Sequence, residues 1–169
     1  MTHPAGGWRS SLSVLACPRQ ELPLAPEALE VLVRGLEAAY GELEAEISAS
    51  NPVCRRSGNC CHFAKFGHRL YASRAEALYF AFRHGVPDGP FSHDSCPFMR
   101  ENSCTAREGR PLGCRVFFCD PSWKGRDSEL SEKYIRRVGQ LSDRLGISWD
   151  YRPFMEHLDL QREAAGGGG

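Results

Sequence analysis

Apolar residues recur at helical spacing in three stretches of the chain. Leu29, Leu32, Leu36, Ala39 and Leu43 lie three or four residues apart, which puts them on one stripe of a helix. Pro26 suits the first turn and Asn51-Pro52 stops the run, so the pattern predicts a helix from Pro26 to about Ser48. Glu30, Glu37, Glu42, Glu44 and Glu46 keep its other side wet. A stripe of this kind packs on its own domain or binds a partner, and packing is the commoner use. A second helix opens with Ser73-Arg74-Ala75-Glu76, a capping box in which the Ser hydroxyl and the Glu carboxylate each satisfy the other residue's free N–H. Ala77, Leu78, Phe80, Ala81 and Phe82 follow, and Gly85 supplies the stop. A third helix is expected from about Ser128 to Leu145, with Leu130, Tyr134, Ile135, Val138 and Leu141 on its apolar side and Gly146 at its end. Asp150 to about Leu160 reads as a short C-terminal helix. Strand signals are weak, and Arg115-Val116-Phe117-Phe118 is the best of them.

These elements divide the chain into a Pro/Gly-punctuated arm over residues 1–25, a domain over 26–163 and a glycine-rich tail over 164–169. A chain of 169 residues fits one domain with a real core. No apolar run approaches the ~18 residues of a membrane span. Lys+Arg and Asp+Glu both number 21, which argues against nucleic-acid binding driven by bulk positive charge. Ser11 to Cys17 resembles the end of a lipoprotein signal. The stretch before it holds Pro4, Gly6, Gly7 and Arg9, too short and too polar for an export segment. The expected compartment is therefore the reducing cytoplasm, where clustered cysteines favour metal over disulfides.

Cysteine then changes the picture. Seven of the eight cysteines fall in two groups, Cys54-x5-Cys60-Cys61 and Cys96-x7-Cys104-x9-Cys114-x4-Cys119. Both sit among turn formers such as Ser57-Gly58-Asn59, Pro97, Asn102-Ser103, Pro111 and Asp120-Pro121. Loops of this type let several thiolates aim at one region, and all seven residues are candidate metal ligands; Cys17 is expected to lie outside the site. Adjacent side chains point apart on an extended chain and ~100° apart on a helix, so two adjacent thiolates seldom serve one ion, though a tight turn can permit it. The pair Cys60-Cys61 therefore points to two sites, or to one site plus the core. Arg55, Arg56, Arg107, Arg110 and Arg115 lie near the cysteines in sequence; they can lower thiol pKa values or remain solvated charges. His62, His68 and His93 are spare ligands in principle, although each alone reads as a non-ligand. His84 sits at a helix end, where a cation suits the dipole. Asp94 and Asp120 read as loop caps. The sequence contains no G-x-S-x-G, H-E-x-x-H, phosphate-binding loop or C-x-x-C.

Cys54-Arg55-Arg56-Ser57-Gly58-Asn59-Cys60-Cys61 is similar to the C-x-x-C-G-x-C-C signature of the YkgJ-type cysteine-cluster proteins of bacterial type. Cys96-Pro97-Phe98-Met99, Cys104 and Arg110-Pro111-x-x-Cys114-Arg115-x-Phe117-x-Cys119 resemble the second half of that family. The resemblance covers Cys54 to Cys119 and implies a zinc- or iron-chelating domain. A flagellin lysine methylase related to the family is thought to carry an iron–sulfur cluster, which implies iron as well. No methylation activity is carried over, because no glycine-rich nucleotide loop follows a strand. One position departs: the family's second cysteine is Ser57 here, and a hydroxyl is a poor ligand for zinc or iron. If the family uses that thiolate, one coordination position stands open, as in catalytic rather than structural sites.

The expectation is a mainly α, small single domain whose irregular cysteine-bearing loops converge on a metal centre. Its cofactor is zinc or iron, with a [4Fe–4S] cluster as one form. Its role is metal holding, redox or structure, with no enzyme activity assigned. Two alternatives stand beside it. One is a metal-dependent enzyme with Ser57, His62 or His93 near an open position. The other is a zinc-stapled module that binds a protein through the 26–48 helix.

Overall fold

The computed structural model describes residues 24–166. Cys17 and nearly all of the expected arm lie outside the described residues. The chain is mainly helical, as its periodicity predicts.

Helix α1 runs over Pro26–Ser50, with proline in its first turn and Asn51 closing it in the left-handed conformation. Its stripe of Leu32, Leu36, Ala39, Leu43 and Ile47 is buried. The stripe packs on α5 (Arg126–Arg144), whose Leu130, Tyr134, Val138 and Leu141 face it. The two helices run antiparallel, because Glu42 pairs with Arg137 and Glu46 with Lys133. These exposed ion pairs set register more than stability, since such pairs are worth ~0–1 kcal/mol each. The apolar face of the 26–48 segment is thus taken up inside the molecule.

Between these helices in sequence lie α2 (Phe63–Phe66), β1 (Tyr71–Ser73), α3 (Arg74–His84), β2 (Met99–Arg100), β3 (Ser103–Cys104) and α4 (Leu112–Val116). After α5 come β4 (Tyr151–Pro153) and α6 (Phe154–Gly166). Helix α3 is buried from Ala75 to Ala81, with Arg74, Phe82 and Arg83 exposed at its ends. Its Ala75, Leu78 and Tyr79 join the core made with α1, α4 and α5. Its Ala77 and Phe80 join a second core with Phe63, Phe154, Met155 and Leu158.

The capping box forms as the sequence indicates. Ser73 N–H donates to Glu76 Oε2 at 2.8 Å, and Glu76 N–H donates to Ser73 Oγ at 3.3 Å. Glu76 does more than cap. Its other oxygen accepts the Tyr40 hydroxyl at 2.9 Å and the Leu112 N–H at 2.7 Å. This 1%-exposed carboxylate therefore ties α1, α3 and the first turn of α4 together.

Three readings are corrected. Arg115–Phe118 is not a strand: Arg115 and Val116 end α4, and Phe117 and Phe118 pair with no strand. Glu76 at the N-terminus of α4 favours helix there, as an anion does. The C-terminal helix begins at Phe154 rather than near Asp150, because Tyr151–Pro153 pairs antiparallel with Tyr71–Ser73. It also continues to Gly166, so the tail boundary at 164 falls inside it. Among the described residues no helix is long and apolar enough to cross a membrane.

Candidate functional site: a thiol-lined cavity

The loop after α1 reaches the second core through a tight turn. Gly58 adopts φ +73°, and Cys61 N–H donates back to its carbonyl at 2.8 Å. This closes a 3-10 turn over Asn59–Cys61. The turn brings the Cys60 and Cys61 sulfurs to 3.9 Å. The tight turn is the exception to the divergence of adjacent thiols, and the chain takes it here. Cys96 N–H donates to the Cys61 carbonyl at 2.9 Å and joins the second cysteine group to the first. Cys104 lies on β3, opposite Met99, and Cys114 lies on α4.

Cys60, Cys61, Cys96, Cys104 and Cys114 line one cavity of about 310 Å³, with the exposed Cys54 also on its wall. Phe63, Phe80, Phe98 and Phe154 line it as well. Cys96 and Cys104 themselves pack against the second core. Arg56, Arg107 and Arg110 supply its positive charge.

Cys119 lies elsewhere. It does not line the cavity, and its sulfur is 3.9 Å from Ser57 Oγ. The departure at Ser57 therefore sits beside Cys119.

Burial and mutual proximity hold Cys60, Cys61 and Cys114 in the protonated form. Cys60 is pushed far up, first by its contact with Cys61 and then by burial. Burial pushes Cys114 far up, against the pull of Arg110. For Cys61 the Cys60 contact pulls down, but Cys96 and burial win and raise it from 9.0 to about 11. The sign for stability follows. An unfolded chain releases these protons near pH 9 while the folded one retains them. Metal-free protein should hold this contribution below pH 9 and lose it as pH climbs through about 11. Urea midpoints taken across that window check it; a midpoint that rises would contradict it.

Two sulfurs 3.9 Å apart match the edge of a tetrahedron around one ion, about 3.8 Å for bonds near 2.3 Å. Among the described residues, however, no three Cys, His, Asp or Glu side chains gather into a group able to hold an ion. The Cys60–Cys61 pair thus lacks the further ligands that a single ion needs.

The histidines are occupied otherwise. His62 Nε2 lies 3.4 Å from Asn102 Oδ1, and His93 Nε2 lies 2.6 Å from Asp159. His68 Nε2 donates to the Cys60 carbonyl at 3.2 Å and stacks on Phe117. None of these three lines the thiol cavity. His84 is corrected as a dipole-compensating cation. Its Nε2 accepts the Gly109 N–H at 3.0 Å, which requires a bare nitrogen, and burial lowers its pKa. Asp120 caps the 3-10 turn Pro121–Trp123 through Ser122 and also accepts the Val53 N–H. Arg115 is a structural residue. Its guanidinium bonds Glu44 and the carbonyls of Glu108 and Arg110, and lies 4.1 Å from the Tyr40 ring.

Sequence reasoning missed the contact that sets the loop. A Cβ on Gly58 would stand 2.9 Å from Asn102 Cα, inside normal contact. Asn102 and Glu101, both at positive φ, form the two-residue turn between β2 and β3. Asn-type turn chemistry in Glu101-Asn102-Ser103 was the available signal. Gly58→Ala combines a steric clash with strained φ, and should destabilise the domain by about 1–3 kcal/mol. Thiol-accessibility kinetics on Cys60 and Cys61 should show faster labelling in that variant; unchanged rates would refute the role assigned to Gly58.

No protein-family model, curated protein or solved structure matches the chain.

Proposed function

We propose that this chain is a thiolate metal-binding protein of the YkgJ-like type, and that its cavity holds an iron–sulfur cluster. The reading rests on one observation: five buried or half-buried thiols from four segments line a single cavity of about 310 Å³. That volume is about ten times a water's share of liquid, large for one ion and suited to a polyatomic group. The donor set also fits, since Fe–S clusters are held by cysteine thiolates.

Cys60, Cys61, Cys96, Cys104 and Cys114 are the residues available to hold it, with Cys54 at the wall. When bound, such a group supplies electron transfer or structural cross-linking. The chain's own part is to give up thiol protons on loading and to exclude water with the phenylalanine wall. Loading should therefore improve as pH rises, because each ligand must lose its proton.

Protein purified and reconstituted without air tests the reading. A brown sample with iron and acid-labile sulfide supports a cluster. A colourless sample with one or two zinc ions per chain replaces it with a structural or hydrolytic zinc site. Absence of any metal, with cysteines oxidised in pairs, overturns it.

A further inference from the structure

The cavity wall carries a guanidinium that the protein itself does not neutralise. Arg110 is half-buried and lines the thiol cavity. Its Nε donates to the Arg107 carbonyl at 3.1 Å. Among the described residues its two terminal nitrogens have no hydrogen-bond partner, and it forms no ion pair. The other arginines near the cysteines differ. Arg115 is committed to Glu44 and two carbonyls, and Arg56 and Arg107 are exposed.

A cation on a half-buried cavity wall is screened less than one in open water and gains more from an anion placed beside it. Here the neighbouring acids are thiols. Arg110 pulls down the pKa of both Cys114 and Cys60. Burial lowers the pKa of Arg110 itself, as does Arg107, while Cys114 and Cys104 act to raise it. On the cavity wall Arg110 stands among Cys60, Cys61, Cys96, Cys104 and Cys114, so thiolates bound as ligands would give the charge its partner.

We propose that Arg110 is the counter-ion of an anionic thiolate cluster in this cavity and raises its reduction potential. This rests on the iron–sulfur reading above. A cluster with four thiolate ligands is anionic, and its potential responds to net charge and to hydrogen bonds on sulfur. Reduction adds one electron and hence one negative charge. A fixed cation nearby stabilises the reduced form more than the oxidised one. Arg110 is a positioning and tuning residue in this account, not a ligand.

The test uses full-length protein reconstituted anaerobically with ferrous iron and sulfide, compared with Arg110→Gln and Arg110→Lys. Iron and sulfide are counted first, and the midpoint potential is then read by dithionite titration in an optical cell. Arg110→Gln should move the midpoint to more negative potential, while Arg110→Lys stays near the parent. Loss of the cluster in Arg110→Gln alone, with Arg110→Lys loaded, also supports a charge role. Equal midpoints in all three loaded proteins overturn the role of Arg110 and leave the cluster reading standing. Loss of the cluster in both folded variants overturns it too, because the role is then one of shape. No uptake of iron and sulfide by the parent protein overturns the cluster reading and this inference together.

Discussion

Replacing Glu76 by alanine should remove about 3–5 kcal/mol of stability, the range seen when one partner of a buried charged network is deleted. The carboxylate is 1% exposed and accepts four hydrogen bonds, from the Ser73 N–H and hydroxyl, the Tyr40 hydroxyl and the Leu112 N–H. Alanine leaves those donors facing apolar neighbours with no acceptor, and each unsatisfied group costs ~1–3 kcal/mol. A domain of this size has about 5–15 kcal/mol in total, so the variant should be close to unfolding at 37 °C. Glu76→Gln keeps the shape but turns one acceptor into a donor, and should fall between the two. Urea unfolding followed by circular dichroism measures this. An alanine variant with the parent's midpoint would show that the network contributes nothing.

The second large effect concerns the thiols. If the cavity holds the proposed cluster, Cys61→Ser and Cys114→Ser should each weaken its retention by at least about 10–100-fold, the loss known for outer-shell partners alone. Cys119→Ser should retain the metal, because Cys119 lies off the cavity beside Ser57. Iron and sulfide per chain after desalting separates the cases. If Cys119→Ser empties the site as fully as Cys61→Ser, the segment after α4 contributes a ligand that the cavity geometry leaves out. Ser57→Cys adds a control. It places a thiol at the position now occupied by a hydroxyl 3.9 Å from Cys119, about the Cys60–Cys61 spacing. A rise in metal per chain would show that a second centre was one ligand short.

The helices were legible in the sequence because their signals are local. Spacing of three and four, Pro26 at the start and Asn51 at the end of α1 all act within a few residues. The capping box of α3 spans three residues and was read directly. The strands were not legible. Tyr71–Ser73 has only three residues, and its partner Tyr151–Pro153 lies eighty positions away. Helix α4 was misread for the same reason. Val116 and Phe117 favour a strand locally, and what overrides them is a carboxylate 36 residues earlier in the chain.

By itself the sequence determined the helical frame and the stock of thiols, since periodicity and residue type need no neighbours in space. It also kept the two cysteine groups out of the long helices, because glycine, proline and asparagine break regular structure, although Cys104 falls on β3 and Cys114 on α4. Tertiary structure alone decided which thiols meet. Cys61 reaches Cys96 through one backbone hydrogen bond, and the Gly58 backbone meets Asn102 at a distance only glycine tolerates. Cys119, fifth in line after Cys114, is carried away to Ser57 by the extended residue Phe117 at the end of α4. Distances between sulfurs on separate segments are set by how two cores pack around α3, and no spacing along the chain encodes them.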